Sequence, residues 1–151
     1  GKADLVLFRP STNTWYTRFA NGTFSTTSFG VAGDKPVVGD FDGDGKSDIA
    51  LYRPSDSNWY ILKTGFGFFV ETWGAAGDIP TPADYDGDGK TDLAVFRPST
   101  GQWFRALSVA GADTLSWGVK GDKPIPADYD GDGKSDAHSQ SRRGRYRSVC
   151  F

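Results

Sequence analysis

Asp40, Asp42, Asp44 and Asp48 crowd into the nine residues Asp-Phe-Asp-Gly-Asp-Gly-Lys-Ser-Asp. Carboxylates packed this closely repel one another, and without a cation some of them stay protonated. The pattern returns at Asp84, Asp86, Asp88 and Asp92, and again at Asp128, Asp130, Asp132 and Asp136. Counted from the first aspartate, carboxylates stand at positions 1, 3, 5 and 9, and glycine at position 6. Position 7 is Lys46, Lys90 or Lys134, whose backbone carbonyl adds an oxygen. This is the front half of an EF-hand-like loop, in which alternating ligands wrap a hard cation and glycine allows the sharp bend. Leu51 or Val95 occupies position 12. The bidentate glutamate of a true EF-hand is therefore absent, and position 9 takes the closing role. Ca2+ takes 6–8 oxygens at ~2.4 Å. Mg2+ or Mn2+ suits the same donors. Zn2+ suits them less, because the loops hold no His or Cys. One Asp-Gly turn could be merely polar, but three copies at identical spacing read as metal loops.

The loops lie 44 residues apart, and other landmarks keep that step: Arg9, Arg53, Arg97; Trp15, Trp59, Trp103; Gly30, Gly74, Gly118. Residues 1–132 are thus three copies of one unit without insertion or deletion. Within a unit, Pro36–Gly39 enters the loop and Asp48–Arg53 leaves it. Trp59–Lys63 and Phe68–Trp73 follow after turns at Pro54–Asn58 and Thr64–Gly67. Four short runs of strand formers per 44 residues is the size of one β-propeller blade, and no segment carries a helical period. The expected fold is all-β: blades of four antiparallel strands, three repeats per chain. Residues 1–30 supply strands two to four of a split blade, 33–74 and 77–118 are blades, and 121–136 supply strand one and its loop. Three blades fall short of the usual 4–8. The ring is therefore expected to close by oligomerisation, with two copies exchanging blade strands.

The aspartate loops also dominate the charge. The net charge is −2, but residues 137–151 hold four arginines and no acid, which leaves 13 bases against 19 acids, or −6, in residues 1–136. Twelve of those acids are loop aspartates, so the acidity belongs to the loops. No apolar run is long enough to span a membrane, and no signal peptide is visible. The absence of Met and the mid-unit start point to a piece of a longer repeat protein.

The motif Gly-Asp-x-Pro-x-x-x-Asp-[Phe/Tyr]-Asp-Gly-Asp-Gly-Lys-[Ser/Thr]-Asp-x-Ala-[Leu/Val]-[Tyr/Phe]-Arg-Pro-Ser resembles the FG-GAP/VCBS repeat of α-integrin-like calcium-binding propellers. The likeness covers residues 1–136. It implies a propeller, usually seven-bladed, with Ca2+ in the hairpin between strands one and two, an extracellular or cell-surface setting, and a binding rather than catalytic role. The implied ligands are Asp40, Asp42, Asp44, Lys46 and Asp48, with their counterparts Asp84, Asp86, Asp88, Lys90, Asp92 and Asp128, Asp130, Asp132, Lys134, Asp136. Asp4 matches position 9 alone, and in an exchanged ring Asp136 makes it redundant. After Asp136 the chain leaves the pattern for a basic tail, residues 137–151, carrying the lone His138 and the lone Cys150.

Three readings of function follow. One is an interaction or adhesion module with structural metal sites. A carbohydrate-binding version would stack sugars on Trp15, Trp59, Trp103, Trp73 and Trp117 beside Arg9, Arg53 and Arg97. The competing reading fills the spaces between blades with these tryptophans and sets the arginines against neighbouring backbone. The third is an enzyme. No nucleophile–base set is visible, so it would be a metal-dependent phosphoester hydrolase working at an Asp-held cation or an inter-chain pocket. Protein or carbohydrate is the expected partner besides a second copy; nucleic acid is not.

Overall fold

A computed structural model describes residues 4–137, together with the backbone of 139–140 and 146–147. His138, Cys150, Arg142, Arg143 and Arg145 lie outside the described residues. Among the described residues every regular element is a strand.

The second unit shows how the sequence makes a blade. β4 (Lys35–Gly39), β5 (Asp48–Arg53), β6 (Asn58–Lys63) and β7 (Gly67–Thr72) form one antiparallel sheet in chain order. Residues of β5 and β6 are rich in β-branched and aromatic types, which fit a pleated, half-buried surface. β5 is buried on both faces, Ala50 and Tyr52 toward the following sheet and Leu51 toward Gly30 of the preceding unit, and Trp59 and Ile61 of β6 are buried too, whereas β7 is exposed along its whole length. The next unit repeats the order with β8 (Ile79–Pro80), β9 (Leu93–Arg97), β10 (Gln102–Leu107) and β11 (Gly111–Ser116). At the front, β1 (Leu5–Arg9), β2 (Thr14–Arg18) and β3 (Phe24–Ser28) form a three-stranded sheet. Among the described residues the sheets do not close into a ring.

The tail adds strands that the sequence pattern does not foresee. β13 (Ser139–Gln140) pairs with β12 (Lys123–Pro124), and β14 (Tyr146–Arg147) pairs with β13. Each of these three strands is only two residues long.

The cores lie between neighbouring sheets. Val37, Phe41, Ala50, Tyr52, Trp59 and Ile61 pack with Val95 of the following sheet, and Phe96 and Trp103 pack with Ala137. Each core tryptophan also closes its own sheet. Trp15 Nε1 donates to the Phe29 carbonyl (3.2 Å), Trp59 to Trp73 (2.9 Å) and Trp103 to Trp117 (2.8 Å). These three rings are at most 1% exposed, so none offers a face to a sugar. Trp73 is half-buried, and its Nε1 donates across the sheets to the Phe104 carbonyl (3.1 Å).

Arg53 and Arg97 bind carboxylates rather than backbone, and Arg9 donates to the Tyr16 hydroxyl (2.7 Å), which corrects that part of the sequence reading. Arg53 makes a two-pronged contact with Asp34 (2.7 and 2.9 Å), and Arg97 does the same with Asp78 (2.9 and 2.9 Å). The contact raises the pKa of both guanidiniums. Asp34 and Asp78 each also accept from a backbone N–H three residues earlier, at Val31 and Ala75. One buried carboxylate thus fixes both the turn before strand one and the end of strand two. Asp78→Ala leaves Arg97 without its partner and the Ala75 N–H without its acceptor. Because Arg97 keeps some access to water, the expected loss is ~2–3 kcal/mol, read as a lower urea midpoint at unchanged slope.

Candidate metal centre

Each acidic loop joins strand one of a sheet to strand two, and its backbone curls around its first aspartate. Asp40 accepts from the N–H groups of Gly43 (2.6 Å), Asp44 (3.2 Å) and Gly45 (2.8 Å). Gly45 sits at φ +81°, a conformation that side chains rarely adopt, which accounts for glycine at position 6. Asp84 and Asp128 hold their loops in the same way, through Gly87 and Gly89 and through Gly131 and Gly133.

The aspartate at position 9 is the brace. Asp48, 1% exposed, accepts from Phe41 N–H (2.9 Å) at the loop entrance and from Thr64 N–H (2.7 Å) in the β6–β7 turn. Asp92 does the same with Tyr85 (2.8 Å) and Ser108 (2.8 Å). Burial pushes the Asp92 carboxyl up; the two N–H donors pull it down only in part, and Asp86 adds to the push. Asp44 and Asp88, at position 5 of the first two loops, respond in the opposite sense. Asp44 is lowered by the Lys46 N–H, and Asp88 first by the Ser108 hydroxyl and then by the Lys90 N–H.

The loops bring together three of the four predicted carboxylates. Asp40, Asp42 and Asp48 have oxygens within 4.8 Å of one another, as do Asp84, Asp86 and Asp92, and Asp128, Asp130 and Asp136. Asp44, Asp88 and Asp132 stand outside these groups, turned to the N–H of Lys46, Lys90 and Lys134. The lysine side chains do different work. Lys46 Nζ pairs with Asp44 (3.1 Å), whereas Lys90 and Lys134 lay their stems over Gly43 and Gly87 of the preceding loop.

Asp42 Oδ2 is buried and has no hydrogen-bond partner. Its counterpart Asp86 Oδ2 accepts from Val109 N–H (3.0 Å). A buried carboxylate oxygen without a donor is costly. Here it lies among two further carboxylates, an all-oxygen set that fits a hard divalent cation.

Some site residues escape the sequence reading. Thr91 N–H donates to the Asp40 carbonyl (2.6 Å), and Ser135 N–H to the Asp84 carbonyl (2.6 Å), so consecutive loops are bonded to each other. Any residue but proline at position 8 supplies that N–H, so side-chain type does not announce the bond. Ser108 and Val109 reach the second loop from the β10–β11 turn. The partners of Arg53 and Arg97 are Asp34 and Asp78 of the recurring Gly-Asp-x-Pro motif.

Sheets in chain order with an oxygen-lined loop between their first two strands define a blade-forming, all-β repeat protein. The model of the FG-GAP-like repeat matches residues 1–51 and 40–95. The chain belongs to the FG-GAP-like repeat family. Comparison with curated proteins and with solved structures returned no match. Among the described residues, no helix is long and apolar enough to cross a membrane.

Asp42→Asn removes one negative charge and the unpartnered oxygen. In cation-free buffer it is expected to raise stability by ~1 kcal/mol. In excess Ca2+ it is expected to melt below the wild type. Paired thermal scans with and without Ca2+ read this reversal of sign.

Proposed function

We propose that the chain is a Ca2+-stiffened β-propeller module for extracellular interaction or adhesion, with metal sites that serve structure. The observation that carries this reading is the buried, donorless Asp42 Oδ2 within a carboxylate trio. The trio of each loop forms the heart of the site. Asp44, Asp88 and Asp132 swing from the N–H groups of Lys46, Lys90 and Lys134 on loading and, with the carbonyls of those lysines, complete the oxygen shell around the ion. The ion supplies positive charge where three carboxylates meet and so fixes the loop between strands one and two. Ca2+ is favoured over Mg2+ or Mn2+ because the donors are numerous and irregularly placed. Extracellular modules bind Ca2+ with dissociation constants of roughly 10⁻⁴–10⁻³ M, a range that suits partly exposed loops.

The ligand of the module is a protein or a carbohydrate. Sugar stacking, if it occurs, falls to aromatics other than Trp15, Trp59 and Trp103, which are buried. The working particle is a homo-oligomer, with two copies favoured, built by exchange of blade strands.

Isothermal titration of chelator-treated protein with CaCl2 tests the metal reading. Binding heat is expected, with a melting temperature that rises on loading and falls on EDTA addition. At an ion concentration 100 times Kd, each site adds ~2.7 kcal/mol to stability. Absence of heat together with an unchanged melting temperature removes the structural-cation reading.

A further inference from the structure

The contacts between neighbouring units recur at the 44-residue step, so the two ends of the chain can be compared with their interior equivalents. A position in the last unit corresponds to the position 132 residues earlier in the first. Among the described residues, strand β1 has no strand on its outer side, whereas its equivalents β5 and β9 pair with β4 and β8. The consequence appears in exposure. Val6 and Leu7 are 41% and 58% exposed, while Ala50, Leu51, Ala94 and Val95 at the same positions are 0% exposed. At the other end, Tyr129 is 48% exposed, against 7% for Phe41 and 5% for Tyr85.

The loop-to-loop bonds break off at the same two ends. Thr91 donates to Asp40 and Ser135 to Asp84; the next bond in the series would join Ser47 to the carbonyl of Asp128, which lies at the far end of the chain. Lys90 covers Gly43 and Lys134 covers Gly87, but no described residue lies over Gly131, and Lys46 turns back to its own Asp44. The position-8 side chains are also size-matched. Thr91 packs against Gly39, where an added Cβ would come within 2.6 Å of it, and the smaller Ser135 belongs to the unit that follows Ala83. Ser47 and Ala127 are the same small pair.

We propose that a second copy of this chain docks head to tail at these ends, its β1 pairing along residues 123–127 and its Ser47 bonding to the Asp128 carbonyl. By the register of β4 with β5 (Lys35 opposite Tyr52, Val37 opposite Ala50), Lys123 faces Phe8 and Ile125 faces Val6 of the second copy. Asp4 then acts as the position-9 brace. Its Oδ1 already accepts from Ala20 N–H (2.8 Å), as Asp48 does from Thr64 and Asp92 from Ser108. Its other oxygen takes the Tyr129 N–H, which Asp136 accepts within one chain (3.0 Å). Asp4 is therefore not redundant: it replaces Asp136 beside Asp128 and Asp130, and the third metal loop is shared between copies. The incoming Asp-Leu-Val-Leu-Phe matches Asp-Ile-Ala-Leu-Tyr and Asp-Leu-Ala-Val-Phe of the complete blades. The chain's own Asp-Ala-His-Ser-Gln does not; it pairs with β12 over two residues and bridges Ala127 through Asp136, and the incoming strand takes its place there. Two copies give six units, inside the 4–8 range of closed propellers; one copy gives three and three copies give nine.

This assembly deepens the exchange reading above, and it can fail independently of the metal reading. In a Cys150→Ser background, Ser47→Cys with Ala127→Cys places one thiol on each side of the seam. Ser135→Cys with Ala83→Cys is the control, because it places the same pair within one chain. Under mild oxidation in CaCl2 the seam variant is expected to run as a covalent dimer of twice 16.3 kDa, and the control as a cross-linked monomer. Wild-type protein is expected to sediment as two chains at micromolar concentration. Val6→Asp, which alters a residue exposed in the single chain, is expected to sediment as one. A seam variant that stays monomeric while the control cross-links overturns the proposal, as does a ladder of species beyond two chains or a dimer that survives Val6→Asp. A Ca2+-dependent melting shift without dimer sinks the seam alone. A dimer without that shift sinks the metal reading alone.

Discussion

Asp48 and Asp92 each accept two backbone N–H groups that are distant in the chain, and the rest of each blade depends on that buried carboxylate. One oxygen fixes the loop entrance and the other fixes the turn between strands three and four. The loop, the first hairpin and the third are thereby tied to one point. A neutral side chain could fill the space, but a charged acceptor makes shorter and stronger bonds to N–H donors. The cost is charge: the brace lies beside two other carboxylates, and burial already pushes Asp92 toward its protonated form. A divalent cation held by the three carboxylates would offset that cost.

A second constraint acts at the opposite end of each sheet. Asp34 and Asp78 hold the arginine at the end of strand two, and the core tryptophan ties strand three to the residue that follows strand four. Braced at both ends, a blade can leave its fourth strand in water. That strand is exposed throughout in β7, and Phe68 and Phe69 remain on the surface. What holds successive blades together is the apolar layer between them, together with single bonds such as that from Trp73 to Phe104.

Much of this was legible in the sequence. Strand order and the loop positions followed from the 44-residue step, since every copy carries the same strand formers, turn residues and aspartates. What escaped notice depends on direction rather than spacing. Asp44 has the same spacing relation to Asp42 that Asp42 has to Asp40, yet the Lys46 N–H draws it away from the trio. Arg53 and Arg97 find partners 19 residues away, across a hairpin, in a motif that reads as a turn, so spacing alone does not name them. The strands of the tail carry no pattern at all; backbone pairing with β12 accounts for them, and side-chain type does not announce it.

The fit of Thr91 against Gly39 bears on how such arrays can be rearranged. Aspartate loops of one design make the units look like interchangeable beads. Their flanks are not interchangeable: a threonine-bearing unit needs a glycine on the unit before it, and a methyl group there would collide. Shuffling or duplicating units must therefore respect neighbour identity, and the order of beads is written in the volume of two small side chains.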